Sequence, residues 1–283
     1  MTSELLAPAK LTLSLRVLGV RDDGYHALDA LTVSIDAPYD ALRLAPGPPG
    51  VRLKVTGPAA DGVPADDANL VVRAASAVLP EGAGLDIGLR KQIRPGSGLG
   101  GGSSDAAAVL RVCAETYDID PGTVADAAAS VGSDVPFCLH QGPAWMRGRG
   151  EVIDPVTLAE PLRVLVVVPP FPISTPAVYR AWDALGGPVS TRALPAPAAV
   201  AAIVTSLAND LEAAAEHVEP RLAPFRAALE RAAGSPALLA GSGSACWIPF
   251  DDPHEGRAAT TRVERELGIA AHLGTTLPAM TAS

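Results

Sequence analysis

The stretch of this 283-residue chain that most clearly implies chemistry is Gly96-Ser97-Gly98-Leu99-Gly100-Gly101-Gly102-Ser103-Ser104-Asp105. Five glycines in seven residues let a backbone double back until several N–H groups face one point. With a helix expected over 103–117, its free N–H groups and dipole add to that focus, which makes a phosphate cradle. Such a nest needs no positive side chains. Other loops share this physics, and the residues around this one exclude several of them. Gly96, Gly98 and Gly101 satisfy G-x-G-x-x-G, but that dinucleotide fingerprint also wants a second parallel strand ending in an acid about 20 residues on. Here that region reads Asp118-Ile119-Asp120-Pro121-Gly122, a turn into another helix. A P-loop needs Lys after its last glycine, and position 102 is Gly. The protein-kinase triplets H-R-D and D-F-G are absent.

Three more segments combine residue types suited to a site. Ala7-Pro8-Ala9-Lys10 puts a lysine at the start of an apolar strand, and Arg21-Asp22-Asp23-Gly24-Tyr25-His26 is a polar turn ending in two rings. Gly132-Ser133-Asp134-Val135-Pro136-Phe137 sets an acid between a helix end and an expected strand. Taken alone, Lys10 also reads as an edge-strand charge, Tyr25 and His26 as a half-buried pair, and Asp134 as an Asx turn. Spacing alone does not join the segments.

The elements that must position these residues can be read from periodicity. Alternation predicts strands over 10–17, 51–55 and 85–93. Asn69 is placed to cap a helix running to about 79, and Pro121 stands at the first turn of a helix over 121–131. Short strands are expected over 135–139 and 144–147, and a buried strand over 163–168. Further helices are expected over 176–185, 198–207 and 220–233, with strands over 237–239 and 245–250 around a second glycine turn. Residues 186–197, rich in Pro, Ala and Gly, read as a flexible connection. Helices beside antiparallel strands, without regular βαβ alternation, argue an α+β fold. The length argues two domains, 1–160 and 161–283.

Composition narrows the function. Hydrophobic residues at 48% and charged residues at 19% exclude a disordered chain. A net charge of −9 argues against nucleic acid or an anionic membrane as partner. Cys113, Cys138 and Cys246 are too few and too far apart for a disulfide framework or a C-x-x-C knuckle, and read as small buried hydrophobes. The scattered histidines argue against a zinc site, and the longest strongly apolar run, 164–168, is too short to span a bilayer. No charged region followed by an apolar run opens the chain, so a cytoplasmic protein is expected. Lysine occurs only at positions 10, 54 and 91, in a chain that otherwise uses arginine. Lys54 reads as an exposed strand charge and Lys91 as the lysine just before the phosphate loop. Lys10 is the one that the arginine bias would be least able to replace.

Together the segments resemble the three motifs of the GHMP small-molecule kinases, which include galactokinase and the homoserine, mevalonate and phosphomevalonate kinases. Ala7-Pro8-Ala9-Lys10 is similar to the first motif and the 96–104 loop to the second. Leu239-Ala240-Gly241-Ser242-Gly243-Ser244 is similar to the third. The Arg21-to-His26 turn, Gly132 to Pro136, Ser174-Thr175-Pro176 and Asn209-Asp210-Leu211-Glu212 resemble the branch whose acceptor is a cytidine diphosphate sugar alcohol. The resemblance runs from about residue 5 to residue 250. It implies two lobes, a ribosomal-protein-like N-terminal one and a ferredoxin-like C-terminal one, with the site between them. It implies ATP, with Mg²⁺, as phosphoryl donor to a 2-hydroxyl in isoprenoid precursor synthesis.

Residue by residue, the resemblance places Lys10 and Asp134 at the catalytic positions. Pro95, Gly96, Ser97, Gly98, Leu99, Gly100, Gly101, Gly102, Ser103 and Ser104 fall on the ATP positions, with Ser103 or Ser104 touching the Mg²⁺ of ATP. Tyr25, His26 and Tyr179 fall on positions that hold cytosine, and Thr12, Thr175, Gly241 and Ser242 on further substrate positions. Thr12 stands where the family usually has Asn, and Pro95 lies one residue later than the family's proline. A monomer or weak homodimer is expected. The alternatives are another GHMP kinase with a homoserine- or mevalonate-type acceptor, and a nucleotide-binding homologue without turnover.

Overall fold

A two-residue reversal at Asp22-Asp23 opens the fold: Arg21 N donates to the Tyr25 carbonyl and Gly24, at φ +80°, closes the turn onto Arg21. It joins the two longest strands, β1 (Leu5–Val20) and β2 (His26–Pro46), which pair with each other. There follow β3 (Gly50–Thr56), α1 (Leu70–Val78), β4 (Gly84–Arg90), α2 (Gly101–Tyr117), α3 (Pro121–Val131) and α4 (Val135–His140). Then come β5 (Ala144–Gly148), β6 (Val152–Pro155), β7 (Arg163–Val167), α5 (Thr175–Ala184), β8 (Leu194–Pro195) and β9 (Ser206–Leu207). The chain continues through α6 (Glu212–Val218), α7 (Leu222–Ala233), β10 (Leu238–Leu239), β11 (Cys246–Phe250), α8 (Pro253–Leu267) and β12 (Ala271–Thr275). The computed structural model describes residues 4–190, 192, 194–203 and 206–279.

These elements divide into two compact units, neither of them one stretch of sequence. The first comprises residues 1–10, 38–95 and 100–141, and the second 11–37, 96–99 and 142–283. A cut at residue 160 falls inside the second unit, so contact units and halves of the sequence are different divisions of the chain.

In the first unit β4 runs parallel to β3 and antiparallel to the C-terminal half of β2, with Ile87 opposite both Leu53 and Leu44. Helices α1 to α4 bury Val71, Ala75, Leu110 and Phe137 at 0% exposure. The expected cap is present, the Asn69 side chain accepting from Val71 N, and Pro121 stands in the first turn of α3 as expected. Asp120 before it adds a second cap, accepting from Gly122 N and Thr123 N. Residues 135–139 are helical, which corrects the strand expected there. The Cys138 amide donates to the Asp134 carbonyl at 3.0 Å, and residues 135 and 138, one helical turn apart, are both buried. Burial of that face decides the conformation against the β preference of Val and Phe.

In the second unit an antiparallel sheet runs β10-β11-β7-β12, with Trp247 opposite Val166 and Leu273 opposite Leu165. The N-terminal half of β2 pairs with β5, and β5 with β6. No helix spans 198–207. Residues 198–203 form turns, 206–207 form β9, and residues 204 and 205 lie outside the described residues. The end of the segment pairs instead with β8, Leu207 opposite Leu194 and Ser206 opposite Pro195. Just beyond it, Leu15 N donates to Ala208 O and Asp210 N to Leu15 O, which continues the extended pairing. Residues 186–190 are anchored too, through Trp182 Nε1 on Pro188 O and Ser190 N on Asp210 Oδ1. Helices beside mixed and antiparallel strands make this an α+β fold.

Candidate active site

Within the first unit, Lys10 and Asp134 meet: Lys10 Nζ lies 3.4 Å from Asp134 Oδ2, with the side chains 12% and 31% exposed. Ala9 and Leu11, both at 0% exposure, bury the opposite face of β1 and aim Lys10 the other way. Asp134 occupies the N-cap position of α4 but makes no side-chain cap bond. Its carboxylate is therefore not spent on an Asx turn. The stem of Lys10 crosses Gly100, where an added Cβ would stand 2.5 Å from Lys10 Cγ. Gly100 is the N-cap of α2 at φ +65°, so a side chain there is opposed by both backbone and lysine. The lysine, the carboxylate and the open N-terminus of a 17-residue helix thus share one corner.

A buried ion cluster lies behind that helix start. Lys91 Nζ donates to Asp40 Oδ2 at 2.5 Å and to Asp105 Oδ2 at 2.7 Å. Burial holds the Asp105 carboxyl far above its ordinary range, up to about 7, against the downward pull of Lys91. Burial likewise pushes the Cys113 thiol up to about 11 and Cys246 to about 12, so neither is a nucleophile. All three cysteines are free and buried, as their spacing predicts.

Within the second unit, Gly96 and Gly98 take φ +71° and +81°, while Ser97 between them and Leu99 after them are buried at 2% and 0%. Alternation of left-handed glycine with anchored neighbours is the backbone geometry of an anion nest. The second glycine turn holds this segment: Ala245 N donates to Ser97 O, and a Cβ on Gly98 would meet Ala240 O and Gly243 O at 2.7 Å. Asn209 holds the turn in its place. Its Nδ2 donates to Leu239 O at 3.0 Å and Gly241 O at 2.6 Å, and its Oδ1 accepts from Leu211 N. The Thr175 and Ser242 hydroxyls bond each other at 2.7 Å.

An aromatic corner is also built in the second unit. The His26 ring lies 4.7 Å from the Tyr179 ring and edge-on to Trp182 at 5.5 Å. Its Nε2 bonds Asp183 Oδ1 at 2.7 Å. Tyr25 stands 56% exposed with the Arg149 guanidinium 5.2 Å from its ring centre, which leaves a flat apolar face open to a base.

Residues 69–142 match the GHMP kinases N terminal domain. The 4-diphosphocytidyl-2-C-methyl-D-erythritol kinase of Paracoccus denitrificans is 41% identical over 91% of this chain and 90% of its own length. The chain belongs to that kinase family. The enzyme of the same name from Methylorubrum extorquens is also 41% identical, over 90% of this chain and 91% of that protein. A crystal structure of 4-(cytidine 5'-diphospho)-2C-methyl-D-erythritol kinase superposes with a TM-score of 0.75 at 34% identity, covering 97% of this chain and 99% of that one. L. major mevalonate kinase, at 17% identity and a TM-score of 0.67 over 100% of this chain and 98% of that one, shares the fold.

Against that family background the sequence-derived residues sort clearly. The structure brings together Lys10 with Asp134, Lys10 with Gly100, His26 with Tyr179, and Thr175 with Ser242. Thr12 is buried at 5% in β1, and Ser104 at 1%, which leaves Ser103 as the more open hydroxyl at the helix start. Pro95 and Gly96 are exposed at the entrance of the loop. Sequence reasoning missed Asp40, Asp105, Trp182 and Asp183, and assigned no role to Asn209 or Lys91. For Lys91 the rarity of lysine was already a signal. Replacing Asn209 by Asp is expected to turn two donated bonds into oxygen–oxygen repulsion, costing about 2–4 kcal/mol in denaturant unfolding. An unchanged midpoint would show that the turn holds itself.

Proposed function

We propose that this kinase transfers the γ-phosphoryl group of ATP to the 2-hydroxyl of 4-diphosphocytidyl-2-C-methyl-D-erythritol, giving the 2-phosphate and ADP in non-mevalonate isoprenoid precursor synthesis. The observation that carries the reading is the Lys10–Asp134 pair, 3.4 Å apart at the head of α2. The acceptor is a tertiary alcohol of low acidity, so its proton needs a carboxylate within hydrogen-bond reach. Asp134, uncapped and part-exposed, is that base. Lys10 offers a compact ammonium to the equatorial oxygens of the phosphoryl group in flight, where positioning and electrostatics supply most of the catalysis. The N–H groups of the 96–104 stretch take the nucleotide phosphates. Mg²⁺ would arrive with ATP and neutralise phosphate charge, and Ser103 or Ser104 is the protein hydroxyl nearest that role.

Cytosine offers a flat face and a hydrogen-bonding edge. Tyr25 and Tyr179 supply rings for the face, and His26, held by Asp183, faces the edge. Asp183→Asn is expected to raise the KM for the cytidyl acceptor about three- to tenfold with kcat nearly unchanged, since a charge-assisted bond becomes neutral at a part-exposed site. Equal KM values would remove Asp183 from substrate recognition.

A panel of acceptors with ATP tests the whole reading, with product followed by phosphorus NMR. Phosphorylation of the cytidyl substrate alone supports it. Turnover of mevalonate or homoserine instead would assign a different acceptor, and ATP binding without any product would make the chain a non-catalytic homologue. No helix among the described residues is long and apolar enough to cross a membrane.

A further inference from the structure

Lys91 is the first residue beyond β4, and it ties together three elements of the first unit. Its ammonium reaches Asp40 on β2 and Asp105 on α2. The second oxygen of Asp40 accepts from the amides of Gln92 and Ile93 at 2.5 and 2.9 Å, which pins the chain leading toward the phosphate loop. Ile93 in turn fits against the first residue of α2. A Cβ on Gly101 would stand 2.8 Å from Ile93 Cγ2 and 3.1 Å from Asp40 Oδ2. The cluster therefore touches the helix start directly through Asp40 and Ile93, and again one turn on through Asp105.

Burial makes this arrangement expensive as a mere filler. The Lys91, Asp40 and Asp105 side chains are 4%, 0% and 2% exposed, and well-packed apolar residues would often stabilise such a place as well or better. What ions add is geometry, because charge-assisted bonds fix direction as well as contact. The residue type carries the same message. This chain uses arginine wherever a cation is exposed on a strand or helix, with Lys54 the exception, yet it keeps lysine at 91. A single ammonium donates to two carboxylates on different elements within a closed space, and a planar guanidinium is larger and presents its donors in one plane. Lys10 directly, and Lys91 through Asp40 and Ile93, thus bear on consecutive residues, Gly100 and Gly101, at one helix start.

We propose that Lys91 is a positioning residue for phosphoryl transfer, holding the start of α2 where its free N–H groups meet the phosphates of ATP. The proposal rests on the reading of that helix start as the ATP site.

The single change Lys91→Met leaves two buried carboxylates without a cation and is expected to fold poorly. The informative variant is the double change Lys91→Met with Asp105→Asn, which conserves the net charge of the cluster while removing the clamp. It is expected to fold, by a cooperative unfolding transition, and to show an ATP KM raised about tenfold or more with the cytidyl-acceptor KM within about twofold of the parent. Lys91→Arg, which keeps charge without the geometry, is expected to raise the ATP KM in the same direction. A parental ATP KM in either folded variant overturns the proposal, as does a rise of both KM values together. Should the parent chain show neither ATP-dependent thermal stabilisation nor ADP formation, the ATP reading fails and takes the proposal with it.

Discussion

Replacing Asp134 by Asn is expected to lower kcat by about 10²- to 10⁴-fold, the usual contribution of a positioned general base. ATP and acceptor KM values should stay near those of the parent, because the carboxylate makes no cap bond and is already 31% exposed. The fold should persist for the same reason. Steady-state kinetics on a variant of parental unfolding midpoint checks this, and near-parental turnover would show that the carboxylate is not the base. Lys10→Arg is the matching test of the cation. The stem of Lys10 lies across Gly100 at van der Waals contact, so a longer planar fork has little room to settle there. Strong impairment is expected, and a fully active arginine variant would reduce Lys10 to a generic charge.

The second large effect is expected from Gly100→Ala. Its φ of +65° disfavours any side chain by about 1–2 kcal/mol, and the new methyl would sit 2.5 Å from Lys10 Cγ. Something must move, and the flexible lysine stem moves more cheaply than the helix. The damage therefore falls on the ammonium that faces Asp134 rather than on the fold. A kcat lowered about 100-fold with a loss of only about 1–2 kcal/mol in unfolding is the expected pattern. Loss of stability without loss of turnover in the surviving folded protein would separate Gly100 from the catalytic pair. Asp134→Asn and Gly100→Ala probe one corner from opposite sides, so their effects on kcat should not multiply.

Much of that corner is legible in the residues. The 96–104 glycines announce themselves because such a run is costly, and Lys10 stands out by the rarity of lysine. Asp134 is marked only by its resemblance to a family motif. Local rules place the cap at Asn69 and Pro121 in a first turn. Where local rules fail, a long-range partner has won. Residues 135–139 have β-forming side chains but fold as α4, because burial of Val135, Phe137 and Cys138 outweighs propensity. The 198–207 stretch reads as a helix, yet its end pairs with Leu194 and Pro195, and the residues just beyond it pair with Leu15. Strand β2 alternates apolar with polar from Leu31 to Asp36, yet Thr32 and Ser34 are buried as fully as Leu31, Val33 and Ile35, so the pattern does not mark a solvent face.

Asp183 and Asp40 show the same limit at the level of the site. Asp183 is 157 residues from His26, and Asp40 is 51 from Lys91. Nothing local marks either as a partner, since an aspartate on a helix or strand is ordinarily a solvated charge.

By itself, then, the sequence determined the chemistry this chain has available: an anion nest of glycines, a lysine kept among arginines, a carboxylate just past a helix end, and rings for a base. These are properties of residue type and near-neighbour spacing, which act over a few residues of backbone. Only the tertiary structure decided which of them meet. It freed Asp134 from its own backbone, laid Lys10 across Gly100, and paired Lys91 with two acids from distant strands and helices. Charge pairs and close packing act through space, and the residues they join are set by how the chain folds back on itself rather than by its order.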